Sequence, residues 1–273
     1  EKDRVYLSGY FGRDVFTFNN SNRSFKANIP WGNSTATLRW NHVFNKKLFA
    51  NTTLVYNDYY FSFGGSQNDF NIKLNSGIRD ATAKVDFDYF PAPQHKLKFG
   101  GLYTYHKFTP NIVSGSQGST TFDPNNESVK FAGEAGLYVQ HDWDISDDVK
   151  LSSGLRYSQF TQLGPYTIYN RDIDGNKTDS TVYSNGQPIK KYGGLEPRMT
   201  LRYSLTDETS IKASVTRNLQ YIHLVSNAGS TLPTDLWVPS TYRVKPQISW
   251  MYAAGLFKNF KDNMYETSLE VYF

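Results

Sequence analysis

Over residues 195–224 the chain alternates between apolar and polar positions, pauses at Thr206–Thr209, and alternates again. Before the pause Leu195, Met199, Leu201, Tyr203 and Leu205 are set against Glu196, Arg198, Thr200, Arg202 and Ser204. After it Ile211, Ala213, Val215, Leu219 and Tyr221 are set against Lys212, Ser214, Thr216, Asn218 and Gln220. Successive side chains of a strand point to opposite sides of a sheet, so this period of two predicts an antiparallel hairpin with one apolar and one polar face. The same pattern recurs along the whole chain and predicts strands at 4–18, 34–45, 47–63, 69–90, 96–109, 128–145, 149–163, 194–206, 209–224, 247–260 and 264–273. One apolar face runs through them, from Val5, Leu7 and Phe11, through Leu38 and Trp40, Leu54 and Tyr56, Val85 and Phe87, Leu137 and Val139, to Trp250, Tyr252, Leu269 and Val271. Several of these strands exceed the length usual in soluble sheets and suit tilted strands that cross a bilayer, which need about 9 to 11 residues.

The connections alternate too. Short turns fall at 45–47, 91–95, 146–148, 206–209 and 261–263, and between them come links at 19–33, 64–68, 110–127, 164–193 and 225–246, of which only 64–68 is brief. Short turns on one rim and longer links on the other describe an outer-membrane barrel, whereas a soluble sandwich has no reason to sort its loops in this way. Tyr, Trp and Phe gather toward strand ends, as interfacial girdles do. Two places depart from the pattern. The alternation fails around Ile78, Arg79 and Asp80, which predicts a bulge, and Arg217 sits on an otherwise apolar face, at a height where it would meet lipopolysaccharide phosphates.

Composition changes the picture in three ways. With a mean hydropathy of −0.56 and no stretch of about 18 to 20 apolar residues, a helical membrane protein is excluded, while a barrel is not, because its two faces average out. Cysteine is absent from the 273 residues, which removes disulfide frameworks, thiolate metal sites and cysteine nucleophiles together. The net charge of +4 is dispersed among acidic residues and forms no stripe for nucleic acid, which is not an expected partner. The first residues, EKDRVYLSGYFGRD, lack the charged and apolar regions of a signal peptide, so the beginning of an envelope protein is expected to lie upstream.

The segments HKLKFGGLYTYHKFTP (95–110), VKLSSGLRYSQF (149–160), LEPRMTLRYSLTDETSIKASVTRNLQYIHL (195–224) and TDLWVPSTYRVKPQISWMYAAGLFKNFKDNMYETSLEVYF (234–273) resemble the barrel of TonB-dependent receptors, particularly those of Bacteroidetes-type bacteria. The resemblance covers most of the chain and rests above all on the order of Glu-Pro-Arg, Gln-Tyr-Ile-His and Lys-Pro-Gln in successive strands. It implies an all-β fold, an antiparallel transmembrane β-barrel of about 22 strands closed around an N-terminal plug, of which residues 1–273 are a partial barrel domain. The plug domain and the TonB box are not present in this chain. Parity agrees: with short turns in the periplasm the eleventh strand ends at the cell surface, whereas a closed bacterial barrel has an even strand number. The implied function is TonB-dependent active import of a scarce nutrient across the outer membrane of a Gram-negative bacterium, with ligand bound by extracellular loops and plug. The rival is a passive porin or channel, or an adhesion-type barrel. Expected partners are outer-membrane lipid and lipopolysaccharide, the TonB complex through the missing N-terminal region, a surface lipoprotein that the sequence does not name, and a small-molecule, peptide or oligosaccharide ligand.

Chemistry is sparse. The five histidines, His42, His95, His106, His141 and His223, lack metal-ligand spacing, and Asp172 to Asn176 lacks the Gly and Glu of a calcium loop at the required positions and reads as a turn. No Gly-x-Ser-x-Gly elbow occurs, and neither an enzyme nor a cofactor is expected. The link 225–246 carries Trp237 and Tyr242, flat faces suited to stacking, beside Asp235 and Arg243; these four are the ligand-binding candidates. On the polar face Lys96, Lys98, Lys130, Lys150, Arg156, Arg198, Arg202 and Lys212 outnumber Glu134, Asp142 and Glu196, a bias that would attract an anionic ligand or pair with a plug.

Overall fold

The alternation is realised in a computed structural model that describes residues 2–122, 129–225 and 236–273. The strands are β1 (Asp3–Asn20), β2 (Phe25–Asn45), β3 (Leu48–Gln67), β4 (Phe70–Ala92), β5 (His95–Gln117), β6 (Thr120–Phe122), β7 (Lys130–Asp144), β8 (Val149–Leu163), β9 (Tyr166–Arg171), β10 (Lys177–Tyr183), β11 (Pro188–Thr206), β12 (Thr209–Gln220), β13 (Ile222–Val225), β14 (Leu236–Pro239), β15 (Gln247–Phe260) and β16 (Tyr265–Tyr272). One antiparallel meander runs β1-β2-β3-β4-β5-β7-β8-β11-β12-β15-β16, with β6 folded back on β5; β9 pairs with β10 and β13 with β14 apart from it. These eleven consecutive strands are the eleven that the alternation predicts. Among the described residues β1 and β16 each have one neighbour, so the sheet is open.

Register assigns the faces. Val85, Gly101, Leu137, Tyr157 and Leu195 form one cross-strand row; Thr82, Thr104, Glu134, Phe160 and Tyr192 form another on the opposite side. On the first face Leu7 is 81% and Leu137 66% exposed, so none of the described residues covers them, as expected of a surface whose solvent is lipid. The second, inner face is covered in part by residues 221–225 and 236–244, through contacts described below.

The strands outrun the predicted boundaries at one rim. Residues 19–33 and 110–127 were expected as links. Instead β2 starts at Phe25, after a 3₁₀ turn at Ser21–Arg23, and stays in register with β1 from Asn20–Phe25 onward, while β5 continues to Gln117 and turns into β6. The reason is a change of side. Beyond the lipid-facing belt Ala27, Ile29 and Phe61 are buried, and they lie on the inner face, while the outer face becomes polar. The same reversal explains Ile78-Arg79-Asp80. There is no bulge at these residues: β4 pairs with β3 without a break from Phe70 to Tyr89, and the irregularity with β5 lies higher, between Asn75 and Gly77.

Candidate functional site

The site begins where β12 leaves β11. Their pairing ends at Arg198–Thr216, although β11 itself runs on toward Pro188. Two side chains take over the backbone groups stranded by this separation. Glu196 Oε2 accepts a hydrogen bond from the Leu219 amide at 3.3 Å, and Arg217 donates from Nη1 to the carbonyl of Leu195 while its guanidinium lies 5.8 Å from the Trp250 ring centre. Arg217 therefore stands on the apolar face because it completes a broken ladder there. Buried carbonyls and amides need such partners.

Past this point the chain turns across the inner wall. Tyr221 is 4% exposed, stacks on Phe160 at 5.2 Å and 12°, and places its hydroxyl 2.8 Å from Ser158 Oγ. Phe108, Ala132 and Phe160 complete a small apolar core with Tyr221, against which Ile78, Tyr192, Leu219 and Ile222 pack. The returning segment is fastened as firmly. Ser240 donates its amide to the Tyr221 carbonyl at 2.7 Å, Tyr192 donates its hydroxyl to the Thr241 carbonyl at 2.8 Å, and Gln162 Oε1 accepts from the Tyr242 amide at 2.8 Å. His223 Nε2 and Ser240 Oγ lie 3.1 Å apart, and burial pushes the His223 imidazole below its ordinary pKa. The result is a strap, residues 221–225 and 236–244, fixed to the wall and joined by the β13–β14 pairing, with β14 lying against β4 and β5.

Beneath the strap runs a chain of charged groups. His106 donates from Nδ1 to Asp80 at 2.7 Å, which turns Nε2 toward Glu134 Oε2 at 3.8 Å; Arg156 Nη2 reaches Glu134 Oε1 at 3.2 Å, and Arg156 Nε faces Glu196 Oε1 at 3.7 Å. Gly136 leaves room for this guanidinium, since a Cβ there would lie 3.2 Å from Arg156 Nε. Among the described residues His106 Nε2, Arg156 Nε and Glu196 Oε1 are buried without a hydrogen-bond partner. The two longer separations exceed hydrogen-bond range by less than about 1 Å, so a small shift of the wall closes either one.

All eight cations singled out on the polar face fall on the inner side by register. Lys98, Arg156 and Arg198 line one cavity of about 260 Å³ together with Lys84 and Tyr138. Lys150, Arg202 and Lys212 form a single cross-strand row near the short-turn rim, where Lys150 pairs with Asp144 at 3.1 Å. Lys96 stands opposite Asp142, and Lys130 opposite Phe108. Of the ligand-binding candidates, Asp235 lies outside the described residues. Trp237 sits half-buried on β14 opposite Leu224. Tyr242 and Arg243 are brought together, with the guanidinium 5.2 Å from the ring centre, and Tyr166 of β9 joins them at 6.1 Å. Burial, and then Tyr242, push the Tyr166 hydroxyl up. Tyr166, His106 and Asp80 carry no motif; only the register brings them to the site.

A wall with one apolar face left bare and the other polar is the arrangement of an outer-membrane barrel. The family described as TonB dependent receptor-like, beta-barrel matches residues 2–273. The chain belongs to this family. TonB-dependent receptors are outer-membrane proteins of Gram-negative bacteria, and that is where this barrel resides. Three solved TonB-dependent receptors show the same fold. BauA, the ferric preacinetobactin receptor from Acinetobacter baumannii, is 14% identical with a TM-score of 0.61, covering 100% of this chain and 44% of its own. FyuA, the ferric yersiniabactin uptake receptor from Yersinia pestis, is 10% identical with a TM-score of 0.63, covering 99% and 42%. The FrpB iron transporter from Neisseria meningitidis is 14% identical with a TM-score of 0.63, covering 99% and 43%. This chain thus spans less than half the length of these receptors. Among curated proteins none matches the sequence.

Proposed function

We propose that this chain is about half of the barrel of an active importer, whose plug and TonB-contacting segment are supplied by other parts of the protein. The observation that carries this reading is the strap. A passive pore keeps a water-filled path through its lumen, whereas residues 221–225 and 236–244 are fastened to the inner wall beside a charged network, where they meet whatever occupies the lumen. Short turns lie in the periplasm and the long arms outside, and ligand is caught by the outer segments, with Trp237, Tyr242 and Arg243 of the strap and Tyr166 beside it as contacts. Cations at Lys98, Arg156 and Arg198 below the strap favour an anionic ligand. The structural neighbours named for ferric preacinetobactin and ferric yersiniabactin support a scarce-nutrient cargo of chelate size without specifying which.

The test is uptake by cells carrying the complete protein, with and without functional TonB. Accumulation is expected only when TonB works. Uptake that continues unchanged without it would overturn the importer in favour of a pore. Truncating Trp237 is expected to weaken ligand binding by roughly ten- to a hundredfold if its ring is a stacking contact, about 1 to 3 kcal/mol. Unchanged affinity would remove Trp237 from the site and leave the importer standing.

A further inference from the structure

Below the strap, two register rows build a recess in the inner wall. In the order β4, β5, β7, β8, β11 the upper row carries Asp86, Gly100, Tyr138, Arg156 and Glu196, and the lower one Asp88, Lys98, Gln140, Gly154 and Arg198. Two residues along a strand separate the rows, about 7 Å. The long side chains lie over glycines of the preceding strand. A Cβ on Gly154 would stand 3.0 Å from Arg198 Cγ and 3.3 Å from its Cδ, just as one on Gly136 would crowd Arg156. Arg198 therefore leans across β8 toward Gln140 and Lys98, away from β12, whose pairing with β11 ends at this residue. The recess that these side chains leave has a volume of about 260 Å³ and is lined by Lys84, Lys98, Tyr138, Gln140, Arg156 and Arg198 among others, with no Asp or Glu among its described lining residues.

Its four cations are unequally satisfied. Lys84 Nζ lies 2.9 Å from Asp86, and Arg156 binds Glu134. Lys98 and Arg198 have no ion pair and no hydrogen bond among the described residues, although Asp88 stands opposite Lys98 in the register. Two unneutralised cations at one small recess with low-dielectric walls repel each other and focus a positive field into it. We propose that this recess binds a free, doubly charged oxyanion of the phosphate class, held by the Lys98 ammonium and the Arg198 guanidinium beside the Gln140 amide. This deepens, and rests on, the reading that the lumen cations favour an anionic ligand. Size and charge choose the occupant. Pockets that enclose whole organic ligands run from about 300 to 1,000 Å³, so this volume suits a small ion in place of a chelate. A carboxylate brings one negative charge to two cations, whereas a phosphate group brings about 1.5 to 2 near pH 7 and suits the planar fork of an arginine.

The test titrates the full-length receptor in detergent, at constant ionic strength, with inorganic phosphate and separately with acetate, read by calorimetry. The wild type is expected to bind one phosphate per chain, at least about tenfold more tightly than acetate, as the additional charge-assisted hydrogen bonds dictate. K98Q/R198Q is expected to lose that binding, and R198K, which keeps the charge but not the fork, to fall between the two, with heat-modifiable migration reporting that each variant folds. A wild type that takes up no phosphate would overturn the proposal and leave the recess to a side-chain carboxylate from the rest of the protein. Acetate bound as tightly as phosphate, or phosphate binding undiminished in K98Q/R198Q, would overturn it as well. TonB-dependent uptake plays no part in this readout, so the importer can fail while the anion site stands, and the reverse.

Discussion

Tyr221 contributes a ring and a hydroxyl to the inner wall, and two substitutions separate them. Tyr221→Phe keeps the stack on Phe160 but leaves the fully buried Ser158 without the hydroxyl partner it has now, a cost of about 1 to 3 kcal/mol. Tyr221→Ala removes the ring as well and costs about 3 to 5 kcal/mol. Hydrogen exchange at residues 221–225 and 236–242 is expected to quicken modestly in the first variant and strongly in the second, with β1 to β5 unaffected. Equal rates in the two would show that the ring anchors nothing. His223 adds a pH dependence with a defined sign. Its folded pKa is depressed by burial, so below the unfolded value of about 6.5 the open strap binds more protons than the closed one. Stability of the β13–β14 hairpin is therefore full above that value and falls as the pH drops through it toward the folded pKa. Exchange protection at 222–225, corrected for intrinsic rates, should decline between pH 7.5 and 5 in the wild type and stay level in His223→Gln.

At the scale of elements, the wall depends on close approach between strands and on which face meets lipid. A Cβ on Gly100 would lie 2.2 Å from the Val85 carbonyl oxygen and 3.1 Å from Asp86 Cα, both backbone atoms that yield only if β4 moves away from β5. Gly100→Ala is expected to lower the fraction of assembled barrel in heat-modifiable migration, with overpacking costs of about 1 to 3 kcal/mol. Leu155→Arg on the lipid side should cost up to about 2 to 4 kcal/mol in assembly, and Ser152→Arg on the inner side less; matching losses would mean the faces are exchanged. The alternation made the spanning parts legible, down to β15 at residues 247–260. It failed in the arms for a physical reason. Ile29 and Phe61 are apolar because their inner face is covered, while the outer face has left the lipid, so the hydrophobic phase reverses there without any change of register. The site was legible only in part. Tyr242 and Arg243 stand out as an aromatic and a cation in a long link, but Glu196 reaching the Leu219 amide, or His106 facing Glu134, depends on the crossing of strands that no local pattern encodes.

For the whole molecule, orientation is the property most open to direct test. Protease added to intact cells is expected to cut within 164–193, first around the exposed turn at Asp172–Asn176 where Ile173 is fully exposed, and within 225–246, while 146–148 and 206–209 stay protected. Cleavage confined to the short turns would invert the barrel. The arms have a consequence of their own. β4 and β5 are 23 residues each, and β3 turns into β4 through only two residues, so much of what projects past the bilayer is paired strand, as the brief link at 64–68 implies for β3 and β4, and in place of expected links at the start of β2 and the end of β5. Fixing a backbone costs about 1 to 2 kcal/mol per residue in conformational entropy. In these arms that cost is met when the barrel folds, before any ligand arrives. Capture on the β2–β5 side therefore needs little ordering of the receptor.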